Sequence, residues 1–389
     1  MPPREADRGR GRPGRVLFVQ ATEPAGYPPL INAAVLMAGA GWDVMFLSAP
    51  IAGNRLRMPI HPRIAVRVIA ERPSHVMGKA SYFNYSAAAA RCALGWRPDV
   101  VYASDPLGAG PGLLASCLAG ARLVYHEHDS PVPGALHPSL ARARRAGSRH
   151  AQLIVFPNEA RARLAQAELG FSEDRLRIVW NLPRLAELPP LAPRPDAPLV
   201  LYYHGSITPD RLPPPVLEAV RRLEGRVRLR VAGREAPGAL GYVQRLLASA
   251  TWPNGGSEGQ PSIEYLGQIS RAELGPTAAE SHIGLALMPR DSGEVNMRHM
   301  TGASNKVFDY MAAGLALLVS DRSDWRDMFV APGYARACDP DDPGSIAAAL
   351  AWVLENPAER RAMAERGRAR IEADWNYDKA FEPVMSALR

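Results

Sequence analysis

The sequence predicts an α/β protein made of two successive parallel-sheet units, each of Rossmann-like design. Three observations predict it. Short apolar runs alternate with helical stretches through the first half, a proline-dense interruption (PRLAELPPLAPRPDAP, 183–198) stops the pattern, and the alternation then restarts. Runs that are apolar on both faces and separated by helices mark strands covered on both sides, as in a parallel sheet. A chain of 389 residues is long enough to bury two separate cores.

The first unit opens with RVLFVQ (15–20), a helix near 29–40 and DVMFLS (43–48). AVRVI (65–69), DVVYA (99–103), RLVYH from 122, LIVF (153–156) and RIVW (177–180) continue it, with helical segments at 82–95, 110–119 and 158–168. These elements define a domain over 15–188. Prolines cannot continue either element, so 189–198 reads as a stiff linker. A second domain over 199–374 carries the runs LVLYYH (199–204), RLRVA (228–232), IEYL (263–266), IGLAL (283–287) and ALLVS (316–320). Its helices fall near 213–224, 239–250, 271–280 and 305–313, and further helices are expected near 343–355, 357–373 and 376–388. Two such units leave a cleft between the carboxyl ends of their sheets, where these folds bind ligands.

Composition narrows the function classes. The cysteines Cys92, Cys117 and Cys338 are scattered and odd in number, which argues against a disulfide framework and for a reduced, cytoplasmic protein. No apolar run approaches the ~20 residues that span a bilayer. Residues 1–14 (MPPREADRGRGRPG) lack an apolar core and read as a disordered basic tail. Residues 1–190 carry 23 Arg or Lys against 14 Asp or Glu, and the remainder 23 against 25. A basic first half reads either as Arg-rich composition without a specific partner, the reading favoured for the tail, or as suited to a phosphate-rich partner such as an anionic membrane surface or a lipid-linked acceptor. Nucleic acid is disfavoured, because no zinc-finger spacing or aromatic RNA-binding signature accompanies the charge. The Arg142, Arg144, Arg145, Arg149 and His150 run reads equally as such a patch or as a solvated helix face.

A dinucleotide site is disfavoured too. GRGRPG (9–14) matches G-x-G-x-x-G, yet it precedes the first strand and opens no helix, the reverse of the required order.

The densest chemical signal is GASNKVFDYMAAGLALLVSD (302–321). Ser304 or Asn305 can cap a helix that Gly314 ends. Free N–H groups at that helix start favour a phosphate, and Lys306 adds a cation. Asp309 lies one turn further on, sharing a side with Asn305 and Lys306, where a carboxylate can accept from ribose hydroxyls. The bland alternative is a routine cap with an Asp309–Lys306 surface pair.

This segment resembles the donor-site helix of the retaining GT-B glycosyltransferases numbered family four (glycosyl transferases group 1), whose typical form is N/S-K-hydrophobic-F-E-Y-M-A-A-G-x-P. RVLFVQ…LMAGAGWDVMFLS, RPDVVYASDP (97–106), RLVYHEHD (122–129), RIVWNLP, LYYHGSITPDR (201–211), LRVAGRE, IEYLGQISRAEL (263–274) and IGLALMPRD resemble further elements of that family in its order. The resemblance implies a GT-B fold of two facing Rossmann-like domains, with residues 375–389 forming a helix that crosses back to the first. It implies transfer of a sugar from a nucleotide-diphosphate donor, with retention, to a glycan, lipid-linked or small-molecule acceptor. Gly205 and Ser206 would form the loop near the sugar diphosphate. Arg211 and Lys306 would neutralise the diphosphate, with Ser304 and Asn305 at the helix start. Asp309, in place of the usual Glu, would bind ribose, and backbone around Gly267, Gln268 and Ile269 would meet the nucleobase edge. His126 and Glu127 would face the cleft from the acceptor side.

The resemblance also implies that no metal or other cofactor is needed, since the bound cations stabilise the leaving group. Three departures stand out: the first Glu of the family's paired motif is Thr301, the loop after the first strand lacks a Gly-Gly, and Arg211 is the single clear cation of its loop. His126 and His128 are expected on opposite faces of a continued strand, which disfavours joint metal ligation. Asp105, at the end of another strand, reads as a turn residue. The competing readings are a degenerate homologue that binds nucleotide sugars without transfer, and a nucleotide-sugar epimerase of the same architecture.

Overall fold

The computed structural model describes residues 13–50, 58–69, 77–191, 193–195, 197–249 and 262–389. All but the end of the 1–14 tail lies outside the described residues. The chain divides into unit 1, Met1–Asn181 with Tyr377–Arg389, and unit 2, Leu182–Asn376.

Unit 1 is a seven-stranded sheet in the order β3-β2-β1-β4-β5-β6-β7. Its strands are β1 (Arg15–Gln20), β2 (Asp43–Ser48), β3 (Ile64–Val68), β4 (Val100–Ser104), β5 (Arg122–His126), β6 (Leu153–Phe156) and β7 (Leu176–Ile178). Every pairing is parallel. Parallel neighbours need crossovers, and the helices α1 (Pro28–Gly39), α2 (Lys79–Trp96), α3 (Asp105–Ala119), α4 (Pro138–His150) and α5 (Glu159–Leu169) supply them. Leu17, Val19, Val101, Ala103, Leu123 and Tyr125 form the core on one face, with α2 and α3 residues such as Ala89 and Ala115. On alternate positions an aromatic row crosses three strands: Phe46, Phe18 and Tyr102 are register partners, with successive ring centroids 4.6 Å apart.

Unit 2 repeats the design with six strands in the order β10-β9-β8-β11-β12-β13. They are β8 (Leu199–Ile207), β9 (Val227–Glu235), β10 (Ile263–Tyr265), β11 (Ile283–Ala286), β12 (Ala316–Ser320) and β13 (Ala335–Cys338). Its helices are α6 (Pro215–Arg221), α7 (Tyr242–Ala248), α8 (Arg271–Ala279), the short α9 (Val295–Arg298), α10 (Asn305–Ala312), the single turn α11 (Ser323–Trp325), α12 (Pro343–Glu355) and α13 (Pro357–Ala373). Both sheets thus run third-second-first-fourth outward, so each has a switch point, at β1/β4 and at β8/β11. Ligands of such sheets bind beyond the carboxyl ends of strands at that point.

Two expectations need correction. The boundary falls before Leu182, so the proline-rich stretch belongs to unit 2. Arg194 shows why: its guanidinium donates to the carbonyls of Ala279 (2.6 Å), Ala313 (2.6 Å) and Gly314 (2.7 Å). The last two are carbonyls that the end of α10 leaves without helical partners, and Arg368 takes the carbonyl of Ala312 beside them. Arg194→Ala is therefore expected to destabilise unit 2 by about 2 kcal/mol. A urea-unfolding midpoint unchanged by the substitution would contradict this. Strand β13 was also missed, because ARAC is short, carries an arginine and lies at the sheet edge.

The final helix α14 (Tyr377–Leu388) packs within unit 1: the Tyr377 hydroxyl donates to the carbonyl of Pro29 at 2.9 Å, and Arg122 to the carbonyls of Ala387 and Leu388.

Candidate functional site

The carboxyl ends of β8 and β9 are opened by glycine. Gly205 and Gly233 are register partners with φ of 120° and 143°, and a Cβ on Gly233 would lie 1.9 Å from the carbonyl oxygen of Gly205. No side chain fits there, so the backbone of β8 is bare on that side and Lys306 of α10 can lie across Gly205.

Lys306, in the first turn of α10, reaches the strand. Its Nζ lies 4.4 Å from the Tyr203 ring centroid and donates to the Tyr203 hydroxyl at 3.3 Å, while that hydroxyl donates to the carbonyl of Ser206 at 2.5 Å. The residue is 8% exposed. Burial first, and repulsion from the Arg211 guanidinium second, push it well below the ordinary lysine range. Arg211 itself touches Met297 Sδ at 3.9 Å. Among the described residues neither cation has a carboxylate partner. Ser304 takes the N-cap position of α10, but its hydroxyl makes no capping bond, so the expected cap is absent and the first N–H groups stay available. Asn305 opens the helix, half-buried. Two cations beside free helix N–H groups form an anion site.

One turn on, Asp309 is buried and held on both oxygens. Arg271 NH1 and NH2 donate to Oδ2 and Oδ1 at 2.7 and 2.8 Å, and His204 Nε2 lies 3.2 Å from Oδ2. Burial pushes this carboxyl up, but the Arg271 charge and the His204 hydrogen bond outweigh it and hold the group at about 2. His204 is lowered, by burial before all else, so it stands neutral and donates from Nε2. Arg271 also reaches Glu187 at 3.5 Å. The Asp309–Lys306 pair of the bland reading does not form: the two side chains separate, one to Arg271 and His204, the other to Tyr203. Just ahead of Arg271, the carbonyl of Gly267 accepts from Gly233 N at 2.7 Å, while the backbone N–H groups of Gln268 and Ile269 meet no acceptor among the described residues. Gln268 is exposed.

In unit 1 the two residues at the end of β5 take different roles. His126 accepts or donates at Nδ1 with the Tyr102 hydroxyl, 2.7 Å away, at the end of the aromatic row. Contrary to expectation it shares a face with His128, their ring centroids 3.8 Å apart, because residues two apart on a strand point the same way. Burial pushes both histidines down, His128 to about 3. Nε2 of His126 and both ring nitrogens of His128 have no partner among the described residues. Glu127 points the other way, into the core. It is fully buried, accepts from the Tyr125 hydroxyl at 2.6 Å, and takes two bonds of 2.7 Å from Arg144. Its side chain has no exposed surface at all, so Glu127 props the fold and no lone pair is within reach of an acceptor. Arg144 accordingly leaves the basic run, while Arg142 and Arg145 stay exposed. Asp105 takes a left-handed φ of 59° and accepts from the backbone N–H of His128 at 2.8 Å.

Two family models match this chain, a "Glycosyl transferase 4-like domain" over residues 32–182 and a "Glycosyl transferase-like" model over 214–386, one in each unit. This is a GT-B glycosyltransferase of the family-four type. Similar solved structures include Alr3699/HepE of Anabaena in complex with UDP and glucose, 16% identical with a TM-score of 0.70, covering 96% of this chain and 99% of that one. A glycosyltransferase from Rickettsia africae is 13% identical with a TM-score of 0.72, covering 97% and 98%. WaaG, a glycosyltransferase involved in lipopolysaccharide biosynthesis, is 12% identical with a TM-score of 0.63, covering 96% and 99%. No curated protein matches the chain.

In this glycosyltransferase the structure brings together Gly205, Ser206, Arg211, Ser304, Asn305, Lys306 and Asp309, with Gly267 joined through Gly233. Tyr203, His204, Glu187 and Arg271 were missed. Arg271 had a signal: it starts α8 immediately after the 267–269 turn, with Glu273 accepting from Ser270 N at 2.7 Å. Glu187 had none, standing at the end of the stretch assigned to the first domain although it belongs to unit 2. Among the described residues no group of three or more His, Cys, Asp or Glu side chains is placed to hold a metal ion.

Proposed function

We propose that the enzyme takes its sugar from a nucleoside-diphosphate donor and transfers it, with retention, to a hydroxyl of a carbohydrate or lipid-linked acceptor. The observation that carries this reading is the Lys306–Arg211 pair: two cations beside an uncapped helix start, without a carboxylate partner among the described residues, one turn from a held carboxylate. A diphosphate fills that vacancy of charge, and the donor's ribose then falls at Asp309. That HepE binds UDP and glucose supports a uridine donor.

In the reaction the bond between the anomeric carbon and the diphosphate oxygen breaks as the acceptor oxygen forms its bond on the same face. Lys306, Arg211 and the α10 N–H groups take up the charge that develops on the diphosphate. The acceptor's proton passes to the departing phosphate oxygen, so neither a protein base nor a metal is required. Asp309, ionised through Arg271, accepts from ribose hydroxyls, and Gln268 and Ile269 offer their N–H groups to the base. His126, neutral and anchored by Tyr102, offers Nε2 to a sugar hydroxyl. Cytoplasmic residence suits the free thiols Cys92, Cys117 and Cys338. No helix among the described residues is long and apolar enough to cross a membrane, and the exposed Arg142 and Arg145 support peripheral contact with an anionic one.

Calorimetry against UDP, GDP, ADP and dTDP tests the reading. One nucleotide is expected to bind at micromolar affinity, about −8 kcal/mol, and Asp309→Asn to weaken it roughly tenfold, about 1.4 kcal/mol. Folded protein that binds none of the four removes the donor site. Binding without transfer or donor hydrolysis would instead favour the degenerate homologue.

A further inference from the structure

We infer that Asp324, oriented by Thr301 and Arg322, reads hydroxyl groups on the sugar of the donor. The inference rests on the donor reading above and assigns its sugar end.

A run of contacts leads from the anion site to this carboxylate. Arg211 lies against Met297 Sδ at 3.9 Å. The carbonyl of Met297 accepts from Arg322 NH1 at 3.4 Å, and Arg322 also holds the carbonyls of Pro289 (3.1 Å) and Arg298. Arg322 Nε donates to Asp324 Oδ1 at 3.2 Å, and the Thr301 hydroxyl donates to Asp324 Oδ2. Thr301 stands three residues before the N-cap of α10, whose first turn carries Lys306. The contacts therefore run unbroken from Arg211 through Met297 and Arg322 to Asp324 and Thr301, and Arg211 is the guanidinium whose charge bears on Lys306 in the first turn of α10.

A nucleotide sugar is a linear molecule of nucleoside, two phosphates and sugar. Asp309, one turn inside α10, marks the nucleoside end, and Lys306, Arg211 and the helix N–H groups mark the phosphates. The sugar then leaves past the helix start, toward the segment that carries Thr301. The polar groups waiting there are the Thr301 hydroxyl and the Asp324 carboxylate. Asp324 keeps 36% of its side chain exposed, so lone pairs remain for a ligand after its two protein bonds are counted. A carboxylate fixed on both oxygens by a hydroxyl and a guanidinium is a rigid acceptor for adjacent sugar hydroxyls.

The test compares each nucleoside diphosphate with its own glucose conjugate (UDP, GDP, ADP and dTDP against the four nucleotide glucoses) by calorimetry on the full chain. Asp324→Asn is expected to weaken the best-bound nucleotide glucose about 10- to 100-fold while the free diphosphate is unchanged. Asp324→Glu should recover part of the loss, and Thr301→Val should weaken the conjugate alone by a smaller factor. Unchanged affinity for the conjugate in Asp324→Asn overturns the inference. So does a parallel loss for conjugate and free diphosphate, which would make Asp324 a prop for the loop. Failure of every free diphosphate to bind the unaltered chain sinks the donor reading and this inference together, and it is seen before any substitution is made.

Discussion

Replacing Lys306 by alanine is expected to lower the transfer rate about 10²- to 10³-fold, the loss typical of removing one preorganised group from developing negative charge. The expectation follows from geometry: Lys306 is buried against Tyr203, lies across Gly205, and feels the like charge of Arg211. Holding two cations together with no carboxylate partner among the described residues is costly, and a bound diphosphate relieves that cost. The same arrangement predicts a proton signature. In the free enzyme the ammonium is held below its ordinary range, and an anion beside it must raise it again. Nucleotide binding will therefore take up protons at pH values between the free and bound pKa. Calorimetry in two buffers of different ionisation heat reads this directly, and the uptake should vanish in Lys306→Ala. A rate loss below about threefold by the same substitution would place the diphosphate elsewhere.

Arg144→Ala is expected to cost unit 1 about 3–5 kcal/mol, because Glu127 would remain as a buried charge without its partner. For a unit of this size that corresponds to a fall of roughly 10 °C in melting temperature. The ion pair is fully enclosed, with side-chain exposures of 1% and 0%, so solvent does not screen it. Glu127→Gln should cost less, since the Tyr125 hydroxyl can still donate to the amide oxygen. If Glu127 acted on the acceptor instead, Glu127→Gln would abolish transfer with the melting temperature unmoved. Thermal melts and donor affinity measured on both variants separate the two roles: a melt within about 2 °C of the native protein for Arg144→Ala sinks the structural assignment.

The fold was legible because its signals are local. Apolar runs such as RVLFVQ and DVVYA read as strands buried on both faces, and the helix expected near 357–373 is α13, Pro357–Ala373. Strand β13 was not legible, since an edge strand needs only one covered side and its composition can include arginine. The donor site was half legible. Lys306 and Asp309 stand at helical spacing and announce a phosphate and a ribose contact. What holds Asp309 is not local: Arg271 and His204 lie 38 and 105 residues away in sequence. Glu127 misled for the same reason. A Glu beside two histidines at a strand end looks catalytic until Arg144, 17 residues on, closes on it.

The course of the chain carries a consequence for biosynthesis. Unit 2 is continuous from Leu182 to Asn376, whereas unit 1 includes α14, which follows unit 2 in the chain. During synthesis unit 2 therefore has all its strands and helices before unit 1 receives its last helix. Until then the surface of unit 1 that will meet Tyr377 and Phe381, both fully buried in the finished protein, stays uncovered. Domains usually mature on the ribosome in order from the amino end. In this enzyme the order of completion is reversed, and the first domain to begin folding is the last to be sealed.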